Sequence, residues 1–161
     1  RDRVREWTSA GRARFEAGDL VPATFPDRAF DVVLSYRLLP HAHRWRALVA
    51  ELTRLARQAV VIDYPTSRSV NAISGSLFGL KKGVEGDTRP FTVFRDAEVE
   101  ASFAEAGFLP TGRRAQFLFP MALHRALGSA GLARILEGAA GAVGLRGALG
   151  SPVSLRLERL A

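Results

Sequence analysis

Four residues in one short stretch of the sequence could take part in binding or in proton transfer. Ser35, Tyr36 and Arg37 follow the apolar run that ends at Leu34, and His41 stands four residues further on. An arginine guanidinium presents a fork of donors that matches a carboxylate, so Arg37 could hold an acidic group. Histidine titrates near neutral pH, so His41 could take a proton from a hydroxyl or an acidic carbon. The alternatives are an ordinary surface position for Arg37 and a polar lead-in to a helix for His41.

The elements around this stretch are predicted to be a strand, a helix and a second strand. Phe30 to Leu34 and Ala59 to Asp63 are uninterrupted apolar runs, typical of parallel strands that are covered on both faces. Between them, apolar residues recur every three or four positions, which predicts an amphipathic helix. Its buried stripe consists of Trp45, Leu48, Val49, Leu52, Leu55 and Ala56. Its predicted solvent side consists of Arg46, Glu51, Arg54 and Arg57. In such α/β units, ligands bind outside the carboxyl ends of the strands, here residues 35–41 and 63–65.

The sequence around the first strand resembles a known family. Gly18-Asp19-Leu20, Phe25-Pro26-Asp27 and Phe30 to Ser35 are similar to the pattern that joins the third and fourth strands of class I S-adenosylmethionine-dependent methyltransferases, type 11 in particular. The similarity continues to Arg95–Val99 and to Ala106-Gly107-Phe108, which is similar to the end of a late helix in that family. The resemblance implies a Rossmann-like α/β sheet of parallel strands with an antiparallel last strand.

The same resemblance implies S-adenosyl-L-methionine as the cofactor and gives roles to individual residues. Asp19 matches the acidic residue that accepts a hydrogen bond from the adenine amino group, and Leu20 matches the neighbour that packs on the ring. Ser35, Tyr36 and Arg37 match the place where the methionine part of the cofactor meets the substrate. They are therefore predicted cofactor-binding residues, with Arg37 also suited to an acidic substrate. His41 is the predicted catalytic residue, and no metal is required. An aspartate after a glycine is also typical of a simple turn, which leaves a structural role for Asp19 open.

The sequence departs from the family at its beginning. The glycine-rich turn that should follow a first strand is missing. The glycines at 138, 141, 144 and 147 follow a helical pattern and lack the G-x-G-x-x-G spacing. We therefore expect an N-terminally truncated domain without its first two strands. A short strand is predicted at Ala13–Ala17, able to pair abnormally beside residues 31–35. Such a chain is expected to bind S-adenosylmethionine poorly or not at all by itself.

Residues 1–161 are predicted to form a single, partial methyltransferase domain that carries two additions. Residues 66–94 read as a lid-like loop with a short helix around 70–80, and residues 120–150 as a helical insertion. Three further elements complete the domain: a helix over Asp96–Ala106, a strand over Ala115–Phe119, and a last strand with Val153, Leu155 and Leu157 on its buried face.

Composition limits the classes of protein that need to be considered. A chain of 161 residues with 47% hydrophobic residues fits one α/β domain with a real core. Cysteine is absent, which excludes disulfides, zinc–thiolate sites and cysteine nucleophiles. The formal charge of +7 could suit nucleic acid, but the arginines are mixed with glutamates along predicted helix faces, which is typical of an ordinary solvated surface. With no apolar run of transmembrane length and no secretory pattern, a cytoplasmic protein is expected.

The predicted function is methyl transfer to oxygen or carbon of a small, partly apolar molecule that could be anionic. The cofactor brings the electrophile, so the protein's tasks are alignment, exclusion of water and removal of a proton. The alternative is a non-catalytic fragment or degenerate methyltransferase that serves as a binding or interaction module. Nothing in the sequence indicates the oligomeric state.

Overall fold

A computed structural model describes residues 2–69, 91–119 and 128–160. Its helices are α1 (Asp2–Ser9), α2 (Trp45–Leu55), α3 (Asp96–Ala104), α4 (Ala130–Ala142) and α5 (Leu145–Leu149), with a 3₁₀ turn at Leu39–His41. Its strands are β1 (Phe30–Ser35), β2 (Ala56–Tyr64), β3 (Phe108–Ala115) and β4 (Val153–Arg159). The helices predicted around 70–80 and 121–127 lie outside the described residues.

The four strands form one mixed sheet in the order β1-β2-β4-β3. Strand β1 runs parallel to β2, with Val33 beside Val60, whereas β4 is antiparallel to both of its neighbours. The last strand of the described chain is therefore inserted between β2 and β3. The Rossmann-like α/β sheet with an antiparallel last strand is confirmed.

One face of the sheet carries the core because the amphipathic helix α2 and the shorter helix α3 cover it. Leu48, Val49 and Leu52 of α2 are almost fully buried, as the three- and four-residue spacing predicts. Val99 and Phe103 of α3, which packs on β3 and on α2, join them in the same core cluster. Helix α3 ends at Ala104 rather than at the predicted Ala106, and Gly107, with a φ of 77°, closes the turn that follows it.

The C-terminal end of α2 is closed by an arginine from the last strand. The guanidinium of Arg159 lies 4.5 Å from the ring centroid of Phe108 and donates to the carbonyls of Thr53 and Ala56, each at 2.9 Å. Carbonyls in the last turn of a helix have no partner within the helix, and a cation there also suits the helix dipole. Arg159 thus ties β4 to α2.

Two strand predictions were wrong. Residues 13–17 form no strand and do not pair with β1. The strand expected at Ala115–Phe119 instead occupies Phe108–Ala115, so it begins directly after the glycine that ends α3. Pro110 and Gly112 are atypical of a strand and hid this one from sequence analysis; the register of the pairing is irregular between them. An edge strand tolerates both residues because only one of its sides must supply hydrogen bonds.

The helical insertion is described from residue 128 onward. Ser129 caps α4, its Oγ accepting from the backbone N–H of Leu132 at 3.4 Å, as predicted. The carboxylate of Glu137 is buried and accepts from the N–H groups of Leu118 and Phe119 at 3.0–3.1 Å. This carboxylate joins α4 to the segment that follows β3.

Glu51 was expected on the solvent side of α2, but it is buried. Its Oε1 accepts from the N–H of Ala23 at 2.9 Å, while Arg54 donates to both of its oxygens. Arg54 also reaches Asp27 at 2.6 Å and the carbonyl of Ala23 at 3.2 Å. The irregular segment that carries Asp19 is therefore held to α2 through Ala23. We call this set of bonds between Glu51, Arg54 and Ala23 the Glu51 clamp.

The Glu51 clamp predicts a stability difference that depends on pH. The hydrogen bond from Arg54 lowers the pKa of Glu51, and this effect outweighs the desolvation that opposes it. A carboxyl whose pKa is lower in the folded state adds stability above its unfolded value, about 4.3, and loses it as the pH falls further. We expect Glu51→Gln to melt below the parent chain at pH 7, and the gap to close towards pH 3. Thermal melts of both proteins across this range would check it; a gap independent of pH contradicts the assignment.

Candidate functional site

A cavity of about 640 Å³ opens at the carboxyl ends of β1 and β2. Its walls come from four separate parts of the chain: the turn after β1, the segment after β2, residues 91–93 and the start of β4. In open α/β sheets this edge is where ligands bind, because the connections diverge there. The sequence predicted the position of this site from the two apolar strands alone.

Arg37 stands at the cavity in an unusual backbone conformation. Its φ of 58° is left-handed, a region that costs a residue other than glycine about 1–2 kcal/mol. Its N–H donates to Oδ1 of Asp63 at 2.5 Å, and Asp63 is only 5% exposed. The carboxylate at the end of β2 therefore holds the turn that brings Arg37 to the cavity. Sequence analysis included Asp63 in the binding edge without recognising this bond.

Apolar and aromatic groups form a second part of the wall. The ring of His41 lies 5.7 Å from that of Phe91, centroid to centroid. Pro40 and Pro65 accept hydrogen bonds from Thr92 and Phe94, both at 2.9 Å. Residues 91–94 are thus fixed against both carboxyl-end turns. Phe91 was expected in the lid-like loop, and the described end of that loop does border the cavity.

Three buried hydroxyl residues complete the lining, namely Thr66, Ser69 and Ser151. Thr66 Oγ1 accepts from the N–H of Arg68 at 3.2 Å, and Ser69 Oγ donates to the carbonyl of Thr66 at 2.9 Å. These bonds stabilise the turn after β2 rather than offering free groups to a ligand. Sequence reasoning missed all three residues, because Ser and Thr are common in ordinary loops and turns.

Tyr64 also lines the cavity and is hydrogen-bonded to Asp96. Tyr64 is fully buried and donates its O–H to Oδ1 of Asp96 at 3.2 Å, while Arg113 donates to Oδ2 at 3.1 Å. Burial raises the pKa of Tyr64 well above its usual value, and the negative charge of Asp96 adds to this. Tyr64 is therefore a neutral donor at physiological pH and is unsuited to act as a base.

Of the six predicted site residues, Arg37 and His41 line the cavity and the other four do not. Tyr36 is half exposed beside it, and Asp19 and Leu20 are exposed on the segment held by the Glu51 clamp. These positions leave an acceptor and an apolar side chain free to meet a ligand. Their roles in ligand binding stay predictions.

Ser35 is 5% exposed and faces the core. Within the described part of the chain, its Oγ is a buried side-chain atom without a hydrogen-bond partner. A buried hydroxyl with no partner costs stability, since it has lost its bonds to water. Ser35 can therefore offer a ligand its backbone but not its hydroxyl.

Replacing Ser35 by alanine should stabilise the chain by about 0.5–1 kcal/mol, since it removes an unpaired buried hydroxyl. Ser69→Ala is the matched control: its hydroxyl donates to Thr66, so its loss should destabilise by about 1 kcal/mol. Urea denaturation of the parent and both variants would separate the two effects. A destabilised Ser35→Ala protein would mean that the hydroxyl has a partner after all.

Residues 2–69, 91–119 and 128–160 contain no group of three or more His, Asp or Glu side chains that could hold a metal ion. In the same ranges, no helix is both long and apolar enough to cross a membrane.

Comparison with known proteins agrees with the observed fold. A family model described as "Methyltransferase domain" matches residues 1–62. Magnesium protoporphyrin IX methyltransferase from Synechocystis PCC 6803, solved with bound SAH, superposes with a TM-score of 0.62 at 13% identity over 99% of this chain. The chain has the fold of a class I S-adenosylmethionine-dependent methyltransferase. It spans 57% of the length of that Synechocystis methyltransferase.

Two further methyltransferases show the same relation. The 1,6-didemethyltoxoflavin-N1-methyltransferase of Burkholderia thailandensis, solved with bound 1,6-didemethyltoxoflavin and S-adenosylhomocysteine, gives a TM-score of 0.57 at 16% identity, over 99% of this chain and 57% of its own. Geranyl diphosphate C-methyltransferase of Streptomyces coelicolor A3(2) was solved with Mg²⁺, geranyl diphosphate and S-adenosyl-L-homocysteine. It gives a TM-score of 0.58 at 13% identity, over 99% of this chain and 58% of its own. No curated protein matches by sequence.

Proposed function

We propose that this chain is part of an enzyme that transfers a methyl group from S-adenosyl-L-methionine to a small molecule. The observation that carries the proposal is the cavity at the carboxyl ends of β1 and β2, with Arg37 and His41 in its wall. The methyltransferase match over residues 1–62 and the cofactor products bound in the structural relatives support it. The single-domain extent 1–161, with a lid over 66–94 and an insertion over 120–150, is part of the same proposal.

The proposed cofactor-binding residues are Asp19, Leu20, Ser35, Tyr36 and Arg37. The exposed carboxylate of Asp19 suits the adenine amino group, and the side chain of Leu20, 40% exposed, suits a ring face. Ser35 would contribute through its backbone, because its hydroxyl is buried. The cofactor supplies the electrophilic methyl group, and the chain's own residues align the acceptor with it.

The acceptor we propose is small, partly apolar and anionic. Arg37 provides the cation for its acidic group, while Phe91, Pro40 and Pro65 provide apolar walls that exclude water. His41, whose ring is tilted against that of Phe91, is the proposed base that takes a proton from an oxygen or carbon as methyl transfer proceeds. One relative binds geranyl diphosphate, a ligand that is both apolar and anionic. The cytoplasmic location remains a prediction from the sequence.

A non-catalytic interaction module is the second candidate function. It is favoured by the outer side of β1, which is the end strand of the sheet, and by the lack of a glycine-rich turn after a strand in the sequence. Both features would suit a chain whose task is to associate with another polypeptide.

Calorimetric titration separates the two functions. The 161-residue chain should bind S-adenosylmethionine poorly, whereas the product of the same gene read with any upstream codons should bind it in the micromolar range. Asp19→Ala should weaken that binding by roughly tenfold or more, the cost of one charged hydrogen bond. Glu105→Ala, which removes an exposed carboxylate elsewhere, is the matched control. A stop codon directly upstream, or no binding by the longer product, would favour the module.

A further inference from the structure

Ser151 carries a hydroxyl at the cavity that no described residue engages. The residue lines the cavity and is 6% exposed. Within residues 2–69, 91–119 and 128–160, Ser151 bonds through its backbone N–H, which donates to the carbonyl of Phe117 at 2.7 Å, and its Oγ has no partner. Unlike the sealed hydroxyl of Ser35, this Oγ is not shut off from open space. The open space that Ser151 borders is the cavity, so a ligand there can reach the hydroxyl.

The backbone on both sides of Ser151 is held in place. The N–H of Gly150 donates to the carbonyl of Arg146 at 2.9 Å, and strand β4 begins two residues after Ser151. A side chain at Gly150 would collide with that carbonyl oxygen and with the side chain of Ala115. Only glycine lets the chain pass so close to its neighbours at this point. The fold therefore sets the position of Ser151 at the cavity before any ligand binds.

Ser151 and Arg37 belong to different sides of the cavity. Arg37 follows β1 and Ser151 precedes β4, and β2 runs between these two strands. Neighbouring strands are about 4.8 Å apart, so the two backbones are separated by roughly 10 Å. Because both residues line the cavity, the span between them suits a molecule about the size of one substituted aromatic ring.

We propose that Ser151 selects acceptors that carry a hydroxyl or carbonyl group at the end remote from their acidic group. The hydroxyl of Ser151 can donate to either group and can accept from a hydroxyl. A site that pairs such a group discriminates against an analogue that lacks it, because the protein's own polar atom then stays unpaired. The inference rests on the proposed function, since it takes Arg37 as the partner of the acidic group. It narrows the acceptor to a ring-sized acid with a second polar group.

Titrations of the 161-residue chain followed by NMR test this role with benzoate and 4-hydroxybenzoate as probes. The parent chain should bind 4-hydroxybenzoate roughly three- to tenfold more tightly than benzoate, the effect of one neutral hydrogen bond. Ser151→Ala should abolish this preference and leave the affinity for benzoate unchanged. Ser154→Ala is the matched control, because the Oγ of Ser154 accepts from Gln116 at 3.1 Å and does not line the cavity. It should keep the preference.

A neutral pair of probes separates failure of this inference from failure of the proposed function. Benzamide and 4-hydroxybenzamide carry no charge, so their affinities do not depend on an anion site. A preference for 4-hydroxybenzamide that Ser151→Ala abolishes supports the role of Ser151, even where benzoate binding proves independent of Arg37 and the acidic acceptor fails. Equal preferences in the parent chain and Ser151→Ala, or no preference within either pair of probes, would overturn the inference. So would a loss of benzoate binding in Ser151→Ala, which would indicate a structural role.

Discussion

An Arg37→Gly variant should be more stable than the parent chain and yet lose most of its affinity for an anionic ligand. Arg37 has a φ of 58°, which costs a residue with a Cβ about 1–2 kcal/mol. Glycine adopts this conformation freely, but it gains entropy in the unfolded chain. The net gain in the free energy of unfolding should be roughly 0.5–1 kcal/mol. A residue other than glycine in such a strained backbone conformation is a sign of function, because selection for stability alone would favour glycine there.

The loss of affinity follows from the place of Arg37 in the wall of the cavity, beside Phe91, Pro40 and Pro65. A hydrogen bond between two charged groups contributes about 1.5–3 kcal/mol, so removing it should weaken binding by about 10- to 100-fold. Benzoate and benzamide form a matched pair of probes that share a ring and differ in charge. Titrations followed by NMR should show that Arg37→Gly weakens benzoate far more than benzamide.

Arg37→Asn provides the control for that experiment, because asparagine tolerates a left-handed backbone but carries no charge. The Arg37→Asn variant should keep the turn and still lose its affinity for benzoate. Arg37→Lys should keep part of the affinity, since it retains the charge without the planar fork. If benzoate binds the parent chain and Arg37→Gly equally well, Arg37 does not hold the anion, and the proposed acceptor chemistry fails.

Asp63→Ala and Asp63→Asn should have opposite effects on the same site. The Asp63 carboxylate accepts the N–H of Arg37. Alanine leaves that donor unpaired, so we expect a loss of about 1–3 kcal/mol of stability and weaker benzoate binding as the turn loosens. Asparagine still offers a carbonyl oxygen, so the turn should survive. Because the amide of the Asp63→Asn variant carries no negative charge near the bound anion, benzoate should bind it slightly more tightly than it binds the parent chain.

Urea denaturation and the same NMR titrations would measure both Asp63 variants. The hydrogen-exchange rate of the Arg37 amide is the most direct readout, because it should rise in Asp63→Ala and stay slow in Asp63→Asn. A slow Arg37 amide in Asp63→Ala would show that something other than this carboxylate holds the turn.

The parts of the fold that sequence analysis predicted are those with a local signal. The stripe of α2 follows a regular period, Gly107 stops α3, and Val153, Leu155 and Leu157 alternate along β4. The position of the site followed from two apolar strands and the rule that ligands meet their carboxyl ends. Each of these inferences needs only neighbouring residues.

The parts that were missed depend on contacts between distant residues. Glu51 occupies a polar position on α2, and its burial comes from Ala23, 28 residues earlier. Nothing in the sequence marks Arg37 as left-handed, because that conformation is imposed by a carboxylate 26 residues later. Strand β3 was misplaced because Pro110 and Gly112 look like turn residues when the supporting neighbour, β4, is unknown. Periodicity in sequence cannot report such partners.

The place of β4 in the sheet also constrains the order in which the chain can fold during synthesis. Strand β3 bonds only to β4 in the described sheet, and β4 is the last of the described strands to leave the ribosome. The parallel pair β1–β2 and helix α2 can form early, but Phe108 and the rest of β3 must wait, unpaired, for about forty residues of further translation. A ribosome-bound chain that stops before Val153 should therefore expose β3 without its hydrogen-bonding neighbour. We expect a chaperone to bind the chain at that stage.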